Sequence, residues 1–144
     1  MWFSKKEVPA KPAGQVTTKT TTKGRGDAAE ALALGHLLGA GLALQETNYR
    51  TPGRGGGEID IIMKDRDGTL VFVEVRLRAS ASHGGAGASI SAVKQRRIVF
   101  AAQHYLMRFK TQPPCRFDVV LVQGQPDGEA SPEMEWLRCA FDAS

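Results

Sequence analysis

Cysteine is scarce in this 144-residue chain: Cys115 and Cys139 are the only two. They form no CxxC pair and no zinc-type spacing, which excludes a disulfide framework or a structural zinc as the organising device. Both are read as reduced core thiols of a cytoplasmic protein. Long hydrophobic runs are also missing. No stretch approaches the ~20 apolar residues that a membrane-spanning helix needs, so no membrane partner is expected. The first lysines are followed by no hydrophobic segment, so a secretory signal is not expected either. There is no internal repeat, and no glycine-rich fingerprint of the Walker or dinucleotide type.

What is present is an ordinary globular composition, 42% apolar and 24% charged, with a net charge of +4 and a pI of about 9.3. The length predicts one domain with a core of its own. The basic balance is compatible with an anionic partner without demanding one. Residues 1–23 lack periodicity and are rich in Thr, Lys, Pro and Ala. They read as a disordered basic tail, leaving 24–144 as the domain.

Within that domain the periodicities predict the order αβββαββ. A first helix runs from Gly24 to Gly41, with Asp27 as N-cap and Glu30 three residues on as its capping-box partner. Its apolar stripe is Ala31, Leu34, Leu37 and Leu38, and Gly39 and Gly41 stop it. A strand follows over 42–50, then the loop TPGRGGG. The loop's glycines would let a phosphate backbone come close; a plain flexible loop is the alternative. Strands are predicted over Glu58–Met63 and Leu70–Leu77, joined by a turn at Asp67-Gly68. After a small-residue loop, a long helix starts at Ser89 or Ser91, with Ile90, Val93, Ala101, Tyr105 and Phe109 as its buried stripe and Ile98, Ala102 and Leu106 beside it. Strands over 115–122 and about 135–141 complete the chain. Asp118 is expected to pair with Arg116, and Trp136 and Phe141 to pack.

The central hairpin carries the unusual charge. Asp60 lies inside its first apolar run and Glu74 inside its second, and carboxylates in buried strands are costly unless paired. Register decides whether they meet. A two-residue turn on Asp67-Gly68 puts them on opposite faces. A three- or five-residue loop centred on Asp67, with Gly68 left-handed, puts Asp60 opposite Glu74 and Glu58 opposite Arg76. Two facing carboxylates repel, so the second register makes sense mainly with a cation between them. Lys94, Arg96 and Arg97 cluster in the first half of the long helix. That is the unfavourable end for cations in the helix dipole, and points to an anionic partner or a solvated face.

The stretch GEIDIIMKDRDGTLVFVEVRLR resembles the D…ExK hairpin of the PD-(D/E)xK restriction-endonuclease-like superfamily. The similarity is closer still to the YraN-type bacterial family. It runs from about Asp27 to Val122 and includes Glu30, Asn48-Tyr49-Arg50, Gly57–Asp60, Phe72–Val75, Ala92–Ile98 and Arg116–Val120. The resemblance implies an α/β fold with a mixed central sheet flanked by helices. It implies Mg²⁺, with Mn²⁺ as substitute, at Asp60 and Glu74 with help from the Val75 carbonyl. Glu30 is implied to face the site from its helix. The implied substrate is nucleic acid, DNA in preference to RNA, in a branched or damaged form.

The family pattern has Lys where this chain has Arg76. Arginine cannot serve as a base, although it can stabilise the charge on a phosphorane. Lys94 is the candidate replacement amine. The competing role for Arg76 is an ion pair with Glu58 or Glu74. Three functions remain open: a Mg²⁺-dependent endonuclease with Glu30, Asp60, Glu74, Arg76 and Lys94 as its catalytic set, a nucleic-acid-binding module with reduced catalysis, and a protein-interaction scaffold in which arginines satisfy the acids.

Overall fold

The elements, in chain order, are helix α1 (Thr22–Gly39), strands β1 (Ala43–Arg50), β2 (Glu58–Lys64) and β3 (Leu70–Arg78), helix α2 (Ala92–Leu106), and strands β4 (Cys115–Gln123) and β5 (Glu133–Phe141). The computed structural model describes residues 22–78, 90–124 and 132–143. The tail expected over 1–23 lies outside the described residues up to residue 21, and α1 already begins at Thr22. No helix among the described residues is long and apolar enough to cross a membrane.

The strands form one sheet in the order β1-β2-β3-β4-β5. Only β3 and β4 run parallel. A parallel pair needs a crossover connection, and α2 supplies it. The two helices cover opposite faces. Ala29, Ala33 and Leu37 of α1 pack with Ile61, Met63, Val71 and Val73. Ile98, Ala101, Ala102 and Tyr105 of α2 pack with Ile62, Leu70 and Phe72. Along β3 the two sets alternate residue by residue, as period-two strands require. A central strand covered on both sides has no polar face, so Leu70 to Val73 are all buried. This is the restriction-endonuclease-like α/β architecture.

Local signals gave most element positions but not all faces. Helix α1 starts before Asp27, so Asp27 is not its N-cap. Glycine bears no steric bar to the helical region, and Gly24 and Gly26 continue the helix where a boundary was expected. The buried stripe is Ala29, Ala33 and Leu37, while Ala31 and Leu38 are exposed. The small alanines at two of these three positions let this face lie close to the sheet. The C-terminus closes as a Schellman motif. Leu42 N–H donates to the Leu37 carbonyl (3.2 Å) and Gly41 N–H to that of Leu38 (3.0 Å). Gly41 takes φ +102°, and the Arg66 guanidinium fills the space where its Cβ would stand.

Helix α2 is capped by Ser91, whose Oγ accepts from Lys94 N–H at 3.1 Å. It ends at Leu106, short of Phe109. Val93 is 52% exposed and Phe109 37%, so neither belongs to the buried stripe. Val93 sits in the first turn, before the helix settles on the sheet, and Phe109 lies past its end. Asp118 is fully buried and takes Arg116 Nε (3.1 Å), Trp136 Nε1 (2.9 Å) and Cys139 N–H (3.0 Å). Arg116 reaches on to Asp65 at 2.9 Å, which ties the hairpin turn to β4. Both cysteines are free, but Cys139 is exposed and in a positive-φ conformation rather than in the core. Its N–H is turned inward to Asp118, which sends the side chain out.

Candidate active site

The β2–β3 turn settles the register. Asp65 N–H donates to the Thr69 carbonyl (2.8 Å), Gly68 N–H to that of Asp65 (3.0 Å), and Gly68 is left-handed. Ile61 pairs with Val73 and Lys64 with Leu70, the register that aligns Asp60 with Glu74. The ladder stops at Ile61–Val73. One residue further, Asp60 Oδ2 accepts the Val75 N–H at 2.9 Å. A side chain thus replaces the backbone of β2 as partner of β3, and the strands part at the acids.

Why they part is visible in β1. Asn48 has φ 53°, a left-handed conformation that asparagine tolerates better than most residues. It lies between the pairs Thr47–Ile61 and Tyr49–Ile59, across from Asp60. Ile61 packs on the α1 side and Ile59 on the α2 side. Two residues apart in a regular strand would share a face. The alternation therefore breaks at Asp60, which turns its carboxylate along the sheet toward β3. The Glu58–Arg76 pairing is not formed. Glu58 pairs instead with Arg50 on β1, at 3.5 Å.

Asp60 and Glu74 are 9% and 7% exposed. They stand close enough for each to shift the other's titration. Burial raises the Asp60 carboxyl above its usual range, partly opposed by the Val75 N–H. Glu74 is pushed up to about 8, first by burial and second by Asp60, while Lys94 pulls the other way. Lys94 Nζ is 3.6 Å from Glu74 Oε2. Oε1 of Glu74 is buried and has no hydrogen-bond partner. Among the described residues Arg76 makes no direct ion pair, and its charge reaches Glu74 only through space.

The residues expected to act together thus divide. Asp60, Glu74, Val75 and Lys94 converge. Arg76 is on the same strand, two residues past Glu74, and half-buried. Glu30 stands in a cleft of about 360 Å³ with Asp27, Thr47, Asn48 and Ile61. That cleft meets β2 at Ile61, on the α1 side, and neither Asp60 nor Glu74 lines it, whereas Lys94 comes from α2.

Two features were not anticipated. The first is the way the loop between β1 and β2 is closed. Thr51 N–H donates to the Gly57 carbonyl (3.0 Å) and Thr51 Oγ1 accepts from Gly57 N–H (2.6 Å), closing the loop on itself. The second is its seat: Gly57 lies against the Arg97 carbonyl of α2, where a Cβ would collide with backbone. Only the absence of a side chain at this position, inside a run of glycines, signalled it. Gly57→Ala is expected to destabilise the fold by about 1–3 kcal/mol. Thermal melting measures this, and an unchanged Tm would show that the loop moves freely off the helix.

A metal fits this constellation. Two desolvated carboxylates face each other, one oxygen lacks any donor, and hard oxygens are what Mg²⁺ and Mn²⁺ take. Among the described residues no group of three or more His, Cys, Asp or Glu is placed to hold a metal. The donors would therefore be the two acids and backbone oxygen, with open positions for water and phosphate.

The sequence profile of the uncharacterised protein family UPF0102 matches residues 29–122, a span that contains both acids and Lys94. The chain belongs to the UPF0102 family. A UPF0102 protein of Polaromonas naphthalenivorans (strain CJ2) is 65% identical over 153 aligned residues, covering all of both chains. A UPF0102 protein of Paracidovorax citrulli (strain AAC00-1) is 63% identical over 130 residues, covering 90% of this chain and 91% of its own length. One from Acidovorax sp. (strain JS42) is 62% identical over 124 residues, covering 86% and 89%. The family is the YraN-type group, within the restriction-endonuclease-like superfamily.

Proposed function

We propose that this UPF0102 chain is a Mg²⁺-dependent endonuclease acting on DNA. The observation that carries the reading is the buried Asp60–Glu74 pair with its donorless Oε1, held where two strands part and flanked by Lys94. Asp60, Glu74 and the Val75 carbonyl would hold the ion. When bound, it polarises the scissile phosphate and lowers the pKa of a bound water. The protein's own contributions are more specific. Val75 N–H fixes one Asp60 oxygen, so the other is left to face the site. Lys94 places a cation beside Glu74, where it can orient the attacking water and stabilise charge on the phosphorane. Arg76 adds positive potential from the strand. Glu30 is the helix-borne carboxylate on the far side of β2.

The second reading, a nucleic-acid-binding module with reduced catalysis, rests on Arg76 at the position where the superfamily pattern has lysine. The scaffold reading would need arginines to satisfy both acids. Among the described residues the cation within ion-pair distance of Glu74 is Lys94 alone, which argues against it. DNA in preference to RNA, and branched or damaged forms in particular, follow from the resemblance.

The test is a panel of linear, flapped and four-way DNA with Mg²⁺ or Mn²⁺, run against Asp60→Ala. Cleavage is expected for the wild type and should fall to background in the variant. Salt-dependent binding without cleavage would establish the second reading. Activity that survives Asp60→Ala would place the site elsewhere.

A further inference from the structure

Lys94 has two neighbours. One is Glu74. The other is a groove of about 220 Å³ between the glycine loop and the first turns of α2, bounded by Arg50, Glu58, Lys94 and Arg97. Its single carboxylate, Glu58, is already engaged by Arg50. Lys94 and Arg97 are one helical turn apart and share a face of α2. The opposite wall is backbone: Gly53, Gly56 and Gly57 offer no side chain. Gly53 and Gly55 hold φ +89° and +76°, values that disfavour any other residue. The loop does not flap over this groove, because Thr51 closes it and Gly57 seats it on the Arg97 carbonyl.

The charge is also placed against local physics. Lys94 and Arg97 sit in the first half of α2, where the helix dipole disfavours cations. A bound anion turns that cost into a gain, since helix N-terminal halves and free cations both favour it. Lys94 lines the groove and also stands 3.6 Å from Glu74 Oε2, so one side chain links the groove to the acid pair.

We propose that this groove seats a backbone phosphate of the nucleic-acid strand, adjacent to the phosphate presented to Asp60 and Glu74. The ligand class is a phosphodiester, gripped by the Arg97 guanidinium against the glycine backbone. The contact is to phosphate oxygens, which carry no base information, so the grip is independent of sequence and acts as a positioning contact. The inference rests on the nuclease reading above and assigns Arg97 and the Thr51–Gly57 loop to substrate binding rather than to chemistry.

The experiment is fluorescence anisotropy of labelled duplex and four-way DNA, without Mg²⁺, over a salt series. The wild type, Arg97→Ala, Arg97→Lys and Arg108→Ala are compared. Arg108 is the control: a cation two residues past the end of α2, paired with Glu46 and stacked on Tyr105. Arg97 touches the loop through its carbonyl, so truncating its side chain leaves the seat intact. Losing one phosphate contact should lower the slope of log K against log salt by about 0.9 in Arg97→Ala. Affinity should drop roughly 10-fold, within the range for a single charge-assisted contact. Arg97→Lys and Arg108→Ala should keep the wild-type slope. An unchanged slope in Arg97→Ala, or an equal loss in Arg108→Ala, overturns the groove while leaving the nuclease reading standing. A wild type that binds no DNA at low salt overturns both. A wild type that binds through Arg97 but never cleaves upholds the groove and ends the catalytic claim.

Discussion

Lys94→Ala is expected to lower the Mg²⁺-dependent cleavage rate by at least about 10²-fold, the usual cost of removing a positioned charge-stabilising donor. The reason is geometric. The lysine of the superfamily pattern stands on the strand two residues after the glutamate, and here that position holds Arg76, which cannot give up a proton. Lys94 delivers an amine to the same carboxylate from the helix, 3.6 Å from Glu74 Oε2. Stability should change little, within about 0.5 kcal/mol, for two reasons. The pair is partly exposed on the lysine side, and such pairs contribute little. Below pH 8 the metal-free Glu74 holds a proton, so removing Lys94 leaves no bare buried charge. Single-turnover cleavage and urea unfolding of the same preparation measure both quantities. Unchanged cleavage in Lys94→Ala would end its role. A loss of stability matching the loss of rate would reduce it to a structural one.

Glu74→Gln should separate the electrostatics of the site from its chemistry. In the metal-free chain Glu74 keeps its proton up to about pH 8, whereas its ordinary value is 4.5. Between those limits the folded chain binds more protons than the unfolded one. Stability must therefore fall as pH rises through that window and level off above about 8. Each tenfold change in proton affinity on folding is worth about 1.4 kcal/mol, so the total is a few kcal/mol. Glutamine carries its own N–H donors to Asp60 and does not titrate, so most of the slope should vanish. The variant should be more stable than the wild type at pH 9 without metal. It should also lose most of the stabilisation that Mn²⁺ gives the wild type, because a ligand that binds the folded state stabilises it by mass action. Melting curves over pH 5–9 with and without Mn²⁺ read all of this. Parallel pH profiles for the two proteins would show that Glu74 is not the titrating group. Equal Mn²⁺ stabilisation would remove it from the metal centre.

The hairpin was legible from its residues because its determinants are local. Val, Ile and Phe mark the strands and Asp67-Gly68 marks the turn, while the choice between two registers came from the observed turn, whose left-handed Gly68 brings Asp60 to Glu74. Where the fold departs from local signals, the deciding contact lies far away in sequence. Helix periodicity could not say which of two neighbouring stripes of α1 faces the sheet, since Ala29, Ala33 and Leu37 are as regular as the line through Leu34 and Leu38. Closeness of approach chose the alanines. Val93 and Phe109 have the right spacing for burial but lie where α2 has not yet met the sheet or has already left it. Glu58 was assigned to Arg76 across the hairpin, and took Arg50 on the other side, because the β2–β3 ladder opens before reaching it.

The sequence by itself determined the element order, the two-sided burial of the central strands and the presence of two carboxylates in them. Each of these follows from residue type, period and turn chemistry over a few neighbouring positions. Tertiary structure alone decided the rest. The left-handed Asn48 on the neighbouring strand turns Asp60 out of the ladder. The crossover helix carries Lys94 back to Glu74, twenty positions earlier in the chain, and Gly57 seats the loop on Arg97. These contacts join residues on different elements, so they depend on how the helix and loop pack against the sheet. That packing converts two costly buried acids into a site with one oxygen waiting for a partner.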